Sequence, residues 1–137
     1  MASYTEHYGL HQWEPNDNFL RTDFNKDFKT IDGALGEKSG IVVGAYLGNS
    51  AESQSISLGF QPKAVLVVER SSMMGFGNDS TPQVYGGLAL WDKPVQTDAG
   101  RVALKLTSTG FTVYNYSDYD YIRINRSSRT YYYLGIR

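Results

Sequence analysis

The chain has 137 residues, 13 basic and 14 acidic, giving a formal net charge of −1 at neutral pH. This balance offers no bulk attraction for nucleic acid or an anionic membrane. No run approaches the ~20 apolar residues of a membrane span, and the lack of cysteine excludes disulfides, thiolate metal sites and a cysteine nucleophile. Hydrophobic residues at 41% suffice for one ordinary domain and a short extra element. The opening Met1-Ala-Ser-Tyr-Thr-Glu-His has neither a basic nor an apolar leader region, so no secretory signal is expected.

Residues 1–18 read as an irregular arm, turn-rich through Trp13, Pro15, Asn16, Asp17 and Asn18. Its Tyr4, Tyr8, Leu10 and Trp13 are too apolar for a free tail, so the arm is expected to pack on something. Residues 19–35 follow as a predicted helix. Phe24, Phe28, Ile31 and Leu35 are spaced four, three and four apart, the seam of a heptad. Thr22 or Asp23 stands where a cap is expected, and Gly36 and Gly40 lie past the end. A helix of about 12–14 residues is marginal alone in water. The seam must therefore lie on the rest of its own chain or meet copies of itself.

From Gly40 the apolar period changes to two, and about eight strands follow at short spacing. They fall at 41–47, 55–58, 64–68, 84–91, 102–106, 111–116, 121–124 and 131–136, separated by turn signals such as Gly48-Asn49-Ser50. The continuous apolar run Ala64-Val65-Leu66-Val67-Val68 predicts a strand buried on both faces. Gly86-Gly87 predicts a bulge or a close backbone contact. The pattern is mainly β. It predicts an antiparallel β-sandwich, jelly-roll-like, at residues 40–137, behind an N-terminal arm and helix at 1–38.

Catalytic signals are sparse. His7 and His11 stand four apart, but Gly9 between them and Pro15 beyond argue against a helix, and a metal set needs further ligands. No recognised nucleophile-elbow, zinc, phosphate-loop or EF-hand pattern occurs. No catalytic residue, metal or cofactor is therefore expected. Asp118 and Asp120 read first as turn formers.

Seven of the 11 tyrosines lie between Tyr114 and Tyr133. Tyrosine gives rigid amphipathic contact area with few torsions to freeze. Tyr114, Tyr116, Asp118, Tyr119 and Tyr121, with Trp91, thus form a candidate surface for a glycan or a partner, beside the plainer reading that alternate tyrosines pack the sheet. The Met73-Met74-Gly75-Phe76 loop is a further candidate contact.

The stretch from Tyr8 to Asp32 resembles the start of tail-fibre and baseplate-appendage proteins of phages and prophages of Gram-positive bacteria. In those an aromatic arm leads to an Asn-x-x-Phe-x-x-Ile-Asp helix, matched here by Asn25, Phe28, Ile31 and Asp32. The second half resembles small β modules of the same particles. The matching pieces are Ser57-Leu-Gly-Phe-Gln-Pro-Lys-Ala-Val-Leu-Val, Gly87-Leu-Ala, Gly110-Phe-Thr-Val and Tyr131-Tyr-Tyr-Leu-Gly-Ile. The resemblance implies a virion structural role, commonly as a homotrimer, with the N-terminal part joined to other virion proteins. It carries over no catalytic residue. It differs in length, for such fibres usually carry long shafts, and this chain has one distal module. The expectation is a short, non-enzymatic appendage component located in the virion. Its helix seam would self-associate, and its β module would face other virion proteins or host cell-wall glycan. The alternative is a lectin-like module that recognises host surface glycan.

Overall fold

The computed structural model describes residues 3–38, 40–71, 74–76, 83–118 and 121–137. The chain divides into two compact units, Met1–Lys38 and Ser39–Arg137.

In the first unit the arm is not irregular. Strands β1 (Ser3–Tyr4) and β2 (His11–Gln12) form a small antiparallel hairpin. Its turn is closed by the Thr5 N–H donating to the Leu10 carbonyl at 2.9 Å and by Gly9 at φ +62°, a conformation that favours glycine. Helix α1 spans Arg21–Glu37, two residues later at each end than expected. Leu20, not Thr22 or Asp23, occupies the cap position, and no side chain caps the helix start. The helix also runs through Gly33 and Gly36 before it ends.

Hairpin and helix are joined by a run of rings and by hydrogen bonds between His11 and Asp27. Trp13 stacks on His11, Phe19 tilts against Trp13, and Phe24 contacts Phe19. On the buried side the Asp27 carboxylate receives the His11 backbone N–H at 2.8 Å, and its second oxygen lies 2.8 Å from His11 Nδ1. The arm thus docks on its own helix.

The second unit is an antiparallel β-sandwich of two four-stranded sheets. Its strands are β3 (Ile41–Leu47), β4 (Ser53–Ser57), β5 (Ala64–Glu69), β6 (Gly75–Phe76), β7 (Gln83–Val84), β8 (Gly87–Leu90), β9 (Val95–Gln96), β10 (Val102–Thr107), β11 (Gly110–Tyr114) and β12 (Thr130–Ile136). One sheet has the order β3-β12-β5-β8 and the other β4-β11-β10-β9; β6 and β7 form a separate ribbon. What holds of the expected class is the sandwich.

Between the sheets Val65, Val67, Tyr46 and Tyr131 meet Leu104, Phe111 and Val113. Each such side chain, fully buried, contributes about 1.5–3 kcal/mol. The Tyr46 hydroxyl donates to the Ile124 carbonyl at 2.6 Å, so the buried phenol is satisfied. Gly86 explains a break inside the expected 84–91 strand: a Cβ there would stand 2.1 Å from the Val67 carbonyl oxygen. The stretch 121–124 is not a strand. It crosses the sandwich with Ile122 and Ile124 buried and pairs only through a single bridge from Ile122 to Val84.

The expectation that 64–68 is buried on both faces fails. Val65 and Val67 face the core, whereas Leu66 and Val68 are only half-buried. They belong to the outer face of their sheet. Register places Ile41, Val43, Ala45 and Leu47 of β3 on that face, beside Thr130, Tyr132, Leu134 and Ile136 of β12. Leu66 and Val68 of β5 and Leu88 and Leu90 of β8 continue it. The outer face of the other sheet is polar, with Ser53, Ser55 and Ser57 of β4 beside Thr112 of β11 and Lys105 of β10.

Candidate functional site

Two sites emerge, one in each unit. In the first, Phe24, Phe28, Ile31 and Leu35 project from α1 as exposed side chains, Phe24 also touching the Trp13 and Phe19 rings. Phe24 and Phe28 meet edge to face at 4.5 Å between centroids. Further along the helix, Tyr8, Ile31, Ala34 and Leu35 line an open groove of about 460 Å³, bordered by Glu37 and Lys38. The docked hairpin covers the Asp27 face of α1, and the N-terminal segment only partly shields the seam, through Trp13 and Phe19 at Phe24 and Tyr8 beside Ile31. Of the predicted arm residues, Tyr4 and Tyr8 are largely exposed, while Leu10 and Trp13 are half-buried.

In the second unit a polar cleft lies at one end of the sandwich, where residues 48–52, 114–118 and 125–129 converge. Fully buried Asn125 is its keystone. Its amide donates to Asn49 Oδ1 at 3.0 Å and to the Ala51 carbonyl at 3.1 Å, and its backbone carbonyl accepts from Ser50 N–H at 2.8 Å. The Asn115 amide donates to the Ser50 carbonyl at 3.1 Å, and Ser127 N–H to Ser50 Oγ at 2.8 Å. This frame shapes two adjoining hollows of about 220 and 460 Å³ that share Ser50, Asn115, Tyr116 and Ser117. Glu52 and Asp118 border the first, and Arg126 and Arg129 the second.

Tyr116 forms the common wall. Its hydroxyl donates to the Val102 carbonyl at 3.0 Å, Tyr114 stacks on it, and the Arg101 guanidinium lies 5.2 Å from its ring centre. Burial, with the neighbouring Tyr114, holds its phenol above the usual range. The Arg101 guanidinium clasps both Asp118 oxygens at 3.0 and 2.9 Å, which keeps that carboxyl below the ordinary aspartate range. Behind the cleft, buried Glu69 pairs with Arg129 at 3.3 Å and accepts from the Ser71 hydroxyl. A ring wall, one amide, serine hydroxyls and flanking charges of both signs suit a polyhydroxylated ligand better than a strongly anionic one.

The structure brings together Tyr114, Tyr116 and Asp118 of the predicted contact surface, but not Trp91. That residue follows Leu90, which pairs with Ala64, at the sheet end opposite to the Leu47–Thr130 pair that leads into the cleft. Tyr121 is engaged elsewhere: its carbonyl accepts from Val84 N–H at 2.8 Å. Tyr119, Asp120 and Met73 lie outside the described residues. Sequence reading missed Ser50, Glu52, Asn115 and Arg126 as lining. They come from three separate turns, joined by Asn125 and by direct bonds of Asn115 and Ser127 to the 50–52 turn.

Among the described residues no group of three or more His, Asp or Glu side chains is placed to hold a metal, and no helix is long and apolar enough to cross a membrane. His11 is used in packing against Asp27. Comparison with family models, curated proteins and solved structures gives no match.

Proposed function

We propose that this chain is a non-enzymatic structural component of a phage or phage-like particle, a short tail-fibre or appendage protein. Its N-terminal unit self-associates, commonly as a trimer, and joins other virion proteins, while its β unit is displayed. The observation that carries the reading is the exposed apolar seam of α1, where Phe24, Phe28, Ile31 and Leu35 all stand open to solvent along one side of the helix. Three such helices turned inward would each remove Phe24, Phe28, Ile31 and Leu35 from water, at about 1.5–3 kcal/mol per fully buried side chain before ordering costs. The resemblance of residues 8–32 to appendage proteins supplies the particle context.

The test is Phe28→Asp in the full chain. A carboxylate buried at the seam without a partner costs several kcal/mol, so the mass by light scattering should fall to about one third and incorporation into particles should be lost. An unchanged mass with normal incorporation refutes the seam.

The cleft supports a second reading, a lectin-like module for host surface glycan. It offers a rigid aromatic wall with amide and hydroxyl donors set around it. Ser117 lines both hollows and is exposed, so Ser117→Trp should fill them without touching the Asn125 frame. Calorimetric binding of purified host wall polysaccharide should disappear in that variant while the melting temperature holds. A wild-type chain that binds no such polysaccharide ends this reading.

A further inference from the structure

The two sheets of the β unit treat solvent in opposite ways. An antiparallel sheet ordinarily turns a polar face to water, as β4-β11-β10-β9 does with its serines, Thr112 and Lys105. The outer face of β3-β12-β5-β8 carries no charged residue at any outward position within its strands. Its side chains are not tucked away: Val43 is 71% exposed, Ile41 67%, Leu47 60%, Leu88 57% and Tyr132 46%. Val43, Ala45, Leu66, Val68, Tyr132 and Leu134 line a shallow apolar depression at its centre, of about 500 Å³.

We infer that this face is a self-association surface, covered by the same face of a second copy of this chain about a two-fold axis. Area supports it. With about 150–250 Å² for a large side chain, the exposed fractions of these residues and Leu90 amount to roughly 600 Å², near the ~800 Å² per partner of a standard interface. That stands at the upper end of the largest apolar patches on typical soluble chains, which are often functional.

Composition favours a permanent like partner. The face lacks the charges that steer a transient or foreign partner, and interfaces between identical subunits are the more apolar class. Geometry favours the pair. A two-fold axis lets one flat patch meet itself completely and closes the assembly at that interface. Sheets packed this way sit about 10 Å apart, a distance that aliphatic side chains from two faces fill.

This association is independent of the helix seam, and the experiment separates them. In full-length Phe28→Asp protein, which removes the seam, light scattering should give a mass of two chains. Adding Val43→Glu and Leu88→Glu should halve it, while Ser55→Glu on the polar sheet should leave it unchanged. A monomeric Phe28→Asp protein, or a mass indifferent to the two glutamates, overturns the proposal and leaves the attachment reading standing.

Should the double glutamate variant fail to fold, single cysteines in this cysteine-free chain give a second measurement. In the Phe28→Asp background, a thiol at Val43→Cys should react with a bulky maleimide several-fold more slowly than one at Ser55→Cys, and the difference should vanish on dilution. Equal rates at all concentrations overturn the pairing. Protection that survives dilution also overturns it, because the cover would then be a segment of the same chain.

Discussion

The contact between Asp27 and His11 shows how much of the N-terminal unit hangs on one carboxylate. Desolvation pushes the Asp27 carboxyl upward, but the hydrogen bonds from the His11 ring and amide outweigh it, so it lies below the ordinary aspartate range. An acid whose folded value is depressed stabilises fully above its unfolded value, near 3.9, and loses that contribution as pH falls through the folded value. The hairpin should therefore stay docked from neutral pH down to about 4 and release below it. The amide shift of His11 in nuclear magnetic resonance should move with a midpoint under about pH 4, and Asp27→Asn should abolish that titration. A His11 amide unaffected between pH 5 and about 2 would mean that the rings alone hold the arm. None of this was legible in the sequence. His11 and Asp27 are sixteen residues apart, and it is the turn at Glu14–Asp17, between β2 and α1, that lets the strand bearing His11 fold back onto the helix.

At the scale of elements, sequence periodicity located the helix and most of the long strands, since alternation in 41–47, 102–106 and 131–136 follows directly from one side facing a core. It failed where burial came without a period. Ile122 and Ile124 alternate like a strand, yet they plug the core from a segment whose pairing is limited to one bridge with Val84. It was misleading where a face was apolar for another reason. The run 64–68 was read as covered on both sides, and β3 likewise carries apolar residues at both parities, Val42 and Tyr46 on one face and Ile41, Val43 and Leu47 on the other. A single chain has only one core with which to cover one of those faces. The excess apolar parity thus marks an exposed apolar face rather than burial on both sides. The cleft was half legible: its tyrosines stood out, whereas its amides and arginines looked like ordinary turn residues.

For the whole molecule, the two proposed self-association surfaces lie in different units, the helix seam in one and the apolar sheet face in the other. Stability then depends on how many copies are present. Association removes apolar surface only in the folded state, so the melting temperature of the wild-type chain should rise with protein concentration. In the chain carrying Phe28→Asp, Val43→Glu and Leu88→Glu it should not. Calorimetry across a hundredfold range of concentration reads this directly, and a flat wild-type response would mean that neither surface is used.

The place of β12 in its sheet bears on when that surface comes into being. This strand is the last of its unit in chain order, yet it lies inside the sheet, hydrogen-bonded to β3 on one side and β5 on the other. Until residues 130–136 have left the ribosome, β3 has no neighbour and β5 lacks one edge, so the apolar face has no platform to stand on. A chain interrupted before residue 130 cannot display it. By placing β12 between β3 and β5, the topology makes the emergence of residues 130–136 a condition for the apolar face to form.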